Sequence, residues 1–285
     1  MLQAENLSKK FGKTEAVNDL SLEVDKGEIV GLLGPNGAGK TTTMQMLSGL
    51  MNPDKGEVSV EGNLKEDVSV VFQETEYGSK LKVREFLNMM AVLNENQEEL
   101  NNIIRDVGLE EFEKTFVGDL SGGNKKKMNM ASGLLKNPNY LLLDEPMAGL
   151  DPRARKSVRD SIQEFSNTHG VLVSTHSMDE AEKLCDRVII VEDGREIVSG
   201  DPDKLISSID SDFVIKAEGD VPDAYESEAT VSEGFFELKT DKPHEFIRKM
   251  VDSGEIDKLQ NLSIERPGLE EVFFEVTGRR YEEDN

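Results

Sequence analysis

The sequence predicts an α/β protein with a phosphate-binding loop on a buried sheet, followed by a small α+β appendage. Three observations predict it. A glycine-rich loop made of Gly34, Pro35, Asn36, Gly37, Ala38, Gly39, Lys40, Thr41 and Thr42 lies between a short aliphatic run and apolar residues at helical spacing. Short aliphatic runs then recur between helical patterns, at 140–143 and 170–175, as in a sheet buried on both faces. Composition changes at the polar stretch 207–212. It divides the chain into residues 1–207 and 208–285, one large domain and one small one.

The first thirty residues read as short β segments, 2–7, 16–24 and 28–33, with Asp25-Lys26-Gly27 as a turn. Phe11 falls in the first loop, where an aromatic either packs against its neighbours or stacks on a base. In the glycine-rich loop the glycines let the backbone curl so that its N–H groups face phosphate oxygens. The following helix adds its positive end. In such a loop Lys40 reaches the β- and γ-phosphates and the Thr41 hydroxyl holds Mg²⁺. The turn 52–56 leads to a strand at 57–60, and a second strand, 68–72, ends at Gln73. Amphipathic helices at 81–93 and 95–107 then interrupt the strand pattern, a helical subdomain inserted over about 75–137.

Leu120-Ser121-Gly122-Gly123 opens the next helix, with Ser121 as its cap. The two glycines bare backbone N–H groups, a second anion site at a helix start. In the run Lys125, Lys126, Lys127 at least two lysines read as a solvated face. Asn137-Pro138 breaks the helix. The buried strand 140–143 presents Asp144 and Glu145 at its end. Paired carboxylates there suit phosphoryl chemistry, one holding Mg²⁺ through water and one orienting the attacking water. Residues 148–152 form a tight connection, with Pro152 placed to start a helix. The strand 170–175 ends at His176, at the edge where ligands collect in parallel sheets. A short helix at 178–184 and a hairpin, 187–192 and 195–199 around Asp193-Gly194, follow. Asp201-Pro202 begins the last helix of this part. Beyond the polar stretch the order is β, β, α, β, α, at 213–217, 235–239, 244–251, 259–265 and 268–276. No catalytic cluster lies there; His244 reads as an exposed helix residue, and the charged tail 279–285 as frayed.

The net charge of −24 and a pI near 4.5 exclude a general affinity for nucleic acid or anionic lipid. A protein partner would therefore have to hold this chain at a membrane. No apolar run approaches the roughly eighteen residues that span a bilayer. The N-terminus, MLQAENLSKK, lacks the apolar core of a signal peptide. The one cysteine, Cys185, excludes an intrachain disulfide and reads as buried packing, consistent with a reducing cytosol.

Together these stretches resemble the ATPase subunit of ATP-binding-cassette (ABC) transporters, over residues 1 to about 205 and in that family's motif order. Gly34–Thr41 resembles Walker A, which many nucleotide-binding proteins share. Leu120–Gly123 before a Walker B strand, Leu141–Asp144, and then a lone histidine is specific to the family. Gln73 stands at the Q-loop position, Glu145 at that of the catalytic glutamate, Leu150-Asp151 at the D-loop, His176 at the switch histidine and Phe11 at the aromatic A-loop. The stretch SIERPGLEEVF, 263–273, resembles the C-terminal extension of the drug, antibiotic and sodium exporter branch.

The resemblance implies a P-loop NTPase core with an antiparallel β subdomain and an inserted helical subdomain. It implies ATP and Mg²⁺ as cofactors, with Thr41, Gln73 and Asp144 around the metal. Two ATPase subunits, as a homodimer or with a related partner, would sandwich two ATP molecules between one copy's Lys40 loop and the other's Ser121, Gly122 and Gly123. Asp151 would lie at that junction. Glu145 would polarise the attacking water, His176 would contact the γ-phosphate, and Gln73 would couple the site to a transmembrane permease on another chain. The subunit would then sit in the cytoplasm, peripheral on the membrane through that permease, and drive export. A soluble ABC ATPase unconnected with transport is the alternative; repair members need long coiled coils and translation members usually two cassettes, neither of which this length holds. Asn124 and the lysines after LSGG, Met147 after Glu145-Pro146, and a short stretch at 62–68 depart from the family pattern. The last is expected to trim a surface β segment.

Overall fold

Ile29–Leu33 (β3), Tyr140–Asp144 (β6) and Gly170–Thr175 (β7) are buried at every position, as inner strands of a covered sheet are. Apolar strands without alternation need cover on both faces, as a parallel sheet flanked on each side provides. A computed structural model of the chain describes residues 1–73, 78, 80–209, 212–219, 221, 222, 225, 229–232 and 235–279. The expected start of the helical insertion near 75, part of the stretch 207–212 and the tail from 280 lie outside them. The chain divides into two compact units, Met1–Pro202 and Asp203–Arg280.

In the first unit, Leu2–Phe11 (β1) and Thr14–Val24 (β2) form a hairpin, and Lys55–Val60 (β4) pairs antiparallel with β1. The main sheet has the order β5-β6-β7-β3-β8-β9 among the described residues, where β5 is Val68–Val71, β8 Arg187–Glu192 and β9 Arg195–Gly200. All its pairings are parallel except the β8–β9 hairpin. Helix α1, Lys40–Leu47, lies between the two sheets. Its Met44, Met46 and Leu47 share one core with Leu7 and Leu20 of the antiparallel sheet and Leu32 and Leu142 of the parallel one. Truncating a methionine there costs about 2–5 kcal/mol.

The stretch 62–68 forms a one-turn helix, Leu64–Asp67 (α2), capped by Asn63, so the antiparallel sheet ends at β4. The inserted helices are Val83–Leu93 (α3), Leu100–Asp106 (α4) and Gly122–Leu134 (α5). Helix Pro152–Ser166 (α6) starts as its sequence dictates, with proline in the first turn and Asp151 accepting from the N–H groups of Arg153 and Ala154 at 3.0 Å. Met178–Leu184 (α7) is capped by Ser177. No helix of the described residues is long and apolar enough to cross a membrane.

The second unit begins within Pro202–Ser208 (α8). Its sheet has the order β11-β12-β10-β13, with β10 Phe213–Glu218, β11 Thr230–Ser232, β12 Phe235–Thr240 and β13 Gln260–Glu265. The three-residue β11 is the strand the sequence pattern missed, being too short to show alternation. Alternate residues Ile215 and Ala217, with Phe236 and Leu238, pack on Phe246 and Met250 of Pro243–Ser253 (α9). The last helix is Leu269–Thr277 (α10).

Candidate active site

Strand register brings the polar residues to one edge. Leu33 pairs with Thr175, and Asp144 with Ser174, so β3, β6 and β7 end together. The loop after β3 therefore opens beside the carboxylates after β6 and the histidine after β7. A cleft of about 310 Å³ is lined there by Ala16, Asn36, Gly37, Gly39, Lys40, Thr41, Thr42, Gln73, Glu145 and His176.

Two glycines are fixed by close approach. A Cβ on Gly34 would lie 2.2 Å from the Val191 carbonyl oxygen, and one on Gly39 would lie 2.2 Å from that of Ala16. Gly39 also needs its φ of 98°, open to glycine and strained for other residues. The β8–β9 turn braces the loop from outside, since the N–H of Gly194 donates to the Ala38 carbonyl at 3.2 Å.

Lys40 is 6% exposed, and its Nζ donates to the carbonyls of Gly34 (2.7 Å) and Pro35 (3.2 Å). It also lies 3.6 Å from Oε1 of Glu145. Burial pushes the ammonium below the ordinary lysine value of 10.5, against the opposing pull of Glu145 and Asp144. Nδ1 of His176 lies 2.8 Å from Oε2 of the same glutamate. Thus one buried carboxylate joins the loop lysine to the histidine across the cleft.

Thr41 Oγ1 donates to Oδ2 of Asp144 at 2.9 Å, and Ser174 Oγ donates to Oδ1 at 2.5 Å. Ser174 Oγ and carbonyl oxygen both accept from the Glu145 N–H, at 3.1 and 3.2 Å. Ser174 therefore fixes the two acids relative to each other, a role that sequence reading missed. A polar residue inside an otherwise aliphatic strand was the available signal. Ala16 was missed too, because it contributes only backbone and proximity.

Some expected residues lie apart from this lining. Phe11 ends β1, paired with Thr14 rather than in a loop, and is 50% exposed. Ser121 caps α5 through its hydroxyl and the Asn124 N–H; it and Gly122 are exposed, while Gly123 is buried. Asp151 caps α6. A Cβ on Gly122 would sit 3.2 Å from Leu150, and one on Gly123 would sit 3.0 Å from Ala154, so the α5 start packs on this connection. Arg155 Nε donates to the Leu150 carbonyl at 2.9 Å and lies 3.3 Å from the buried Glu180. Burial raises the Glu180 carboxyl, and Arg155 offsets part of that.

The lysine run also differs from expectation. Lys125 alone is exposed; Lys126 and Lys127 are half-buried, and burial lowers the Lys127 ammonium. Lys126 reaches the carbonyls of Gln73 and Glu145.

The family described as ABC transporter matches residues 17–148. The linearmycin resistance ATP-binding protein LnrL of Bacillus subtilis is 32% identical over 98% of this chain and 99% of its own length. The chain belongs to the ABC transporter family. The Nod factor export ATP-binding protein I of Burkholderia lata is also similar, 35% identical over 98% of this chain and 97% of its own. Among solved structures, an ATP-binding subunit of an ABC transporter superposes with a TM-score of 0.64 at 29% identity, covering 73% of this chain and 92% of that one. A second, cbiO1 from Clostridium perfringens, part of the complex cbiONQ, gives 0.66 at 27% identity over 73% and 90%. This ABC chain is thus an ATP-binding and ATP-hydrolysing subunit with a P-loop NTPase core, as its motif order implied.

Proposed function

We propose that the chain powers export through a separate membrane permease, working as one of two ATPase subunits that close on ATP. The line Lys40–Glu145–His176, held beside a glycine-built cradle, carries this reading. The cradle offers backbone N–H groups and the α1 start to the triphosphate. Lys40, buried and charged, pairs with its β- and γ-oxygens.

The residues fit a magnesium ion. The Thr41 hydroxyl and the Asp144 carboxylate already meet at 2.9 Å, both are hard oxygen donors, and Gln73 lines the same cleft. When bound, Mg²⁺ neutralises charge on the phosphate oxygens. Glu145 accepts a proton from the attacking water as its oxygen bonds to the γ-phosphorus and the bond to the β-phosphate oxygen breaks. His176, bonded to Glu145 at 2.8 Å, orients that carboxylate and presents its ring to the γ-phosphate. Preorganised charge of this kind supplies most of the rate in phosphoryl transfer.

Ser121, Gly122 and Gly123 are assigned to the ATP held by the other subunit, with Asp151 at the junction and Phe11 against the adenine. Gln73 links the site to the permease. Relatives named for Nod factor export, linearmycin resistance and lipopolysaccharide export support the direction. The net charge of −24 supports recruitment to the cytoplasmic membrane face by protein rather than lipid. Purification from membranes tests this: the chain should bring with it a protein of several membrane spans. Recovery of the chain alone would favour an ATPase unconnected with transport.

A further inference from the structure

Glu145 has a positive φ of 49°, a conformation costly for a residue with a Cβ and kept only where neighbours impose it. Its N–H end is fixed by Ser174. Its carbonyl end accepts from the Ala148 N–H at 3.3 Å and from Lys126 Nζ at 3.2 Å. The same ammonium donates to the Gln73 carbonyl at 3.0 Å. An ammonium carries three donors, so one lysine can hold both backbones at once. Gln73 and Glu145 both line the cleft, yet they follow different strands, β5 and β6. Lys126 belongs to neither; it stands on α5, in the inserted helices.

We infer that Lys126 is a positioning residue for hydrolysis, whose ammonium pins the backbones of Gln73 and Glu145 and so keeps the Glu145 carboxylate aimed between Lys40 and His176. The inference rests on the proposed role of Glu145 in polarising water. Its consequence is that the inserted helices, which also pack on β5 and β6, tie together the two segments that carry Gln73 and Glu145 through this side chain. The phosphate cradle is built from other residues, so the grip affects turnover rather than nucleotide capture. Misplacing a reacting group by about an ångström can cost on the order of a hundredfold in rate.

The test uses the full-length chain with its permease. Lys126→Met should lower kcat tenfold or more, while the Kd for a fluorescent ATP analogue and the KM for ATP stay within twofold. Lys126→Arg, which keeps charge and donors, should restore most of the rate. In the Glu145→Gln background, Lys126→Met should lower the residual rate no further, because the residue acts through Glu145. Lys126→Gln, measured the same way, replaces the methionine variant if circular dichroism shows that variant unfolded. Wild-type kcat in the folded variant would overturn the inference. So would equal losses in kcat and affinity, no rescue by arginine, or a multiplied loss in the Glu145→Gln background. If Glu145→Gln alone hydrolyses ATP at the wild-type rate, the role proposed for Glu145 fails, and this inference fails with it.

Discussion

Helices α1 and α5 begin alike in sequence and differently in space. Each starts behind a glycine-rich segment that bares backbone N–H groups. At α1 the first residue, Lys40, is buried among carbonyls and carboxylates of its own chain. At α5 the capping Ser121 and Gly122 are exposed. The contrast teaches that similar local chemistry can serve two purposes. Under the proposed function the enclosed start would capture a phosphate chain by itself, and the exposed start would contact a nucleotide held by a second copy. Under the proposed pairing, damage at α1 should abolish binding and damage at α5 should spare it.

The largest effect should come at the carboxylate that lies between Lys40 and His176. Glu145→Gln should lower kcat by roughly 10²–10⁴ with nucleotide affinity retained, read by steady-state phosphate release and by calorimetry. Equal loss of binding would make Glu145 a structural residue. Next, Lys40→Ala should weaken MgATP binding by about a hundredfold or more, since it removes a desolvated charge-assisted contact. Unchanged affinity by calorimetry would erase the distinction between the helix starts. Ser121→Asp sharpens the comparison from the other side. Aspartate still caps a helix, so α5 should persist, but its charge opposes a triphosphate. Hydrolysis should fall about 10–100-fold while the affinity of single chains for nucleotide stays within about twofold. Loss of affinity in that variant would place both helix starts on one nucleotide.

The smallest effect concerns pH. Burial lowers the Lys40 ammonium below 10.5, so free protein loses that charge earlier on the alkaline side than an ordinary lysine would. Nucleotide affinity should therefore decline before pH 10.5 is reached, and a titration of Kd against pH reads it. Affinity flat up to that value would contradict the burial argument.

Most of the first unit was legible because its central strands are mainly apolar and its loops carry glycine and proline at positions with one physical use. The candidate residues on those strand ends were legible for the same reason: Asp144, Glu145 and His176 each follow an apolar run. What was not legible depended on distant partners. The lysine run read as solvated for at least two of its three members, and nothing set Lys126 apart, because its acceptors, 53 and 19 residues away in sequence, are backbone carbonyls, which no side-chain pattern announces. Ser174 acquires its role only from its register opposite Asp144. In the second unit, β11 has three residues and pairs with one neighbour, leaving no period to detect.

The central claim is that two copies share each nucleotide, and Glu145→Gln tests it most directly because slowed hydrolysis preserves the closed state. Size-exclusion chromatography of that variant should show a dimer with MgATP and a monomer without it. A variant that binds MgATP and stays monomeric would contradict the account.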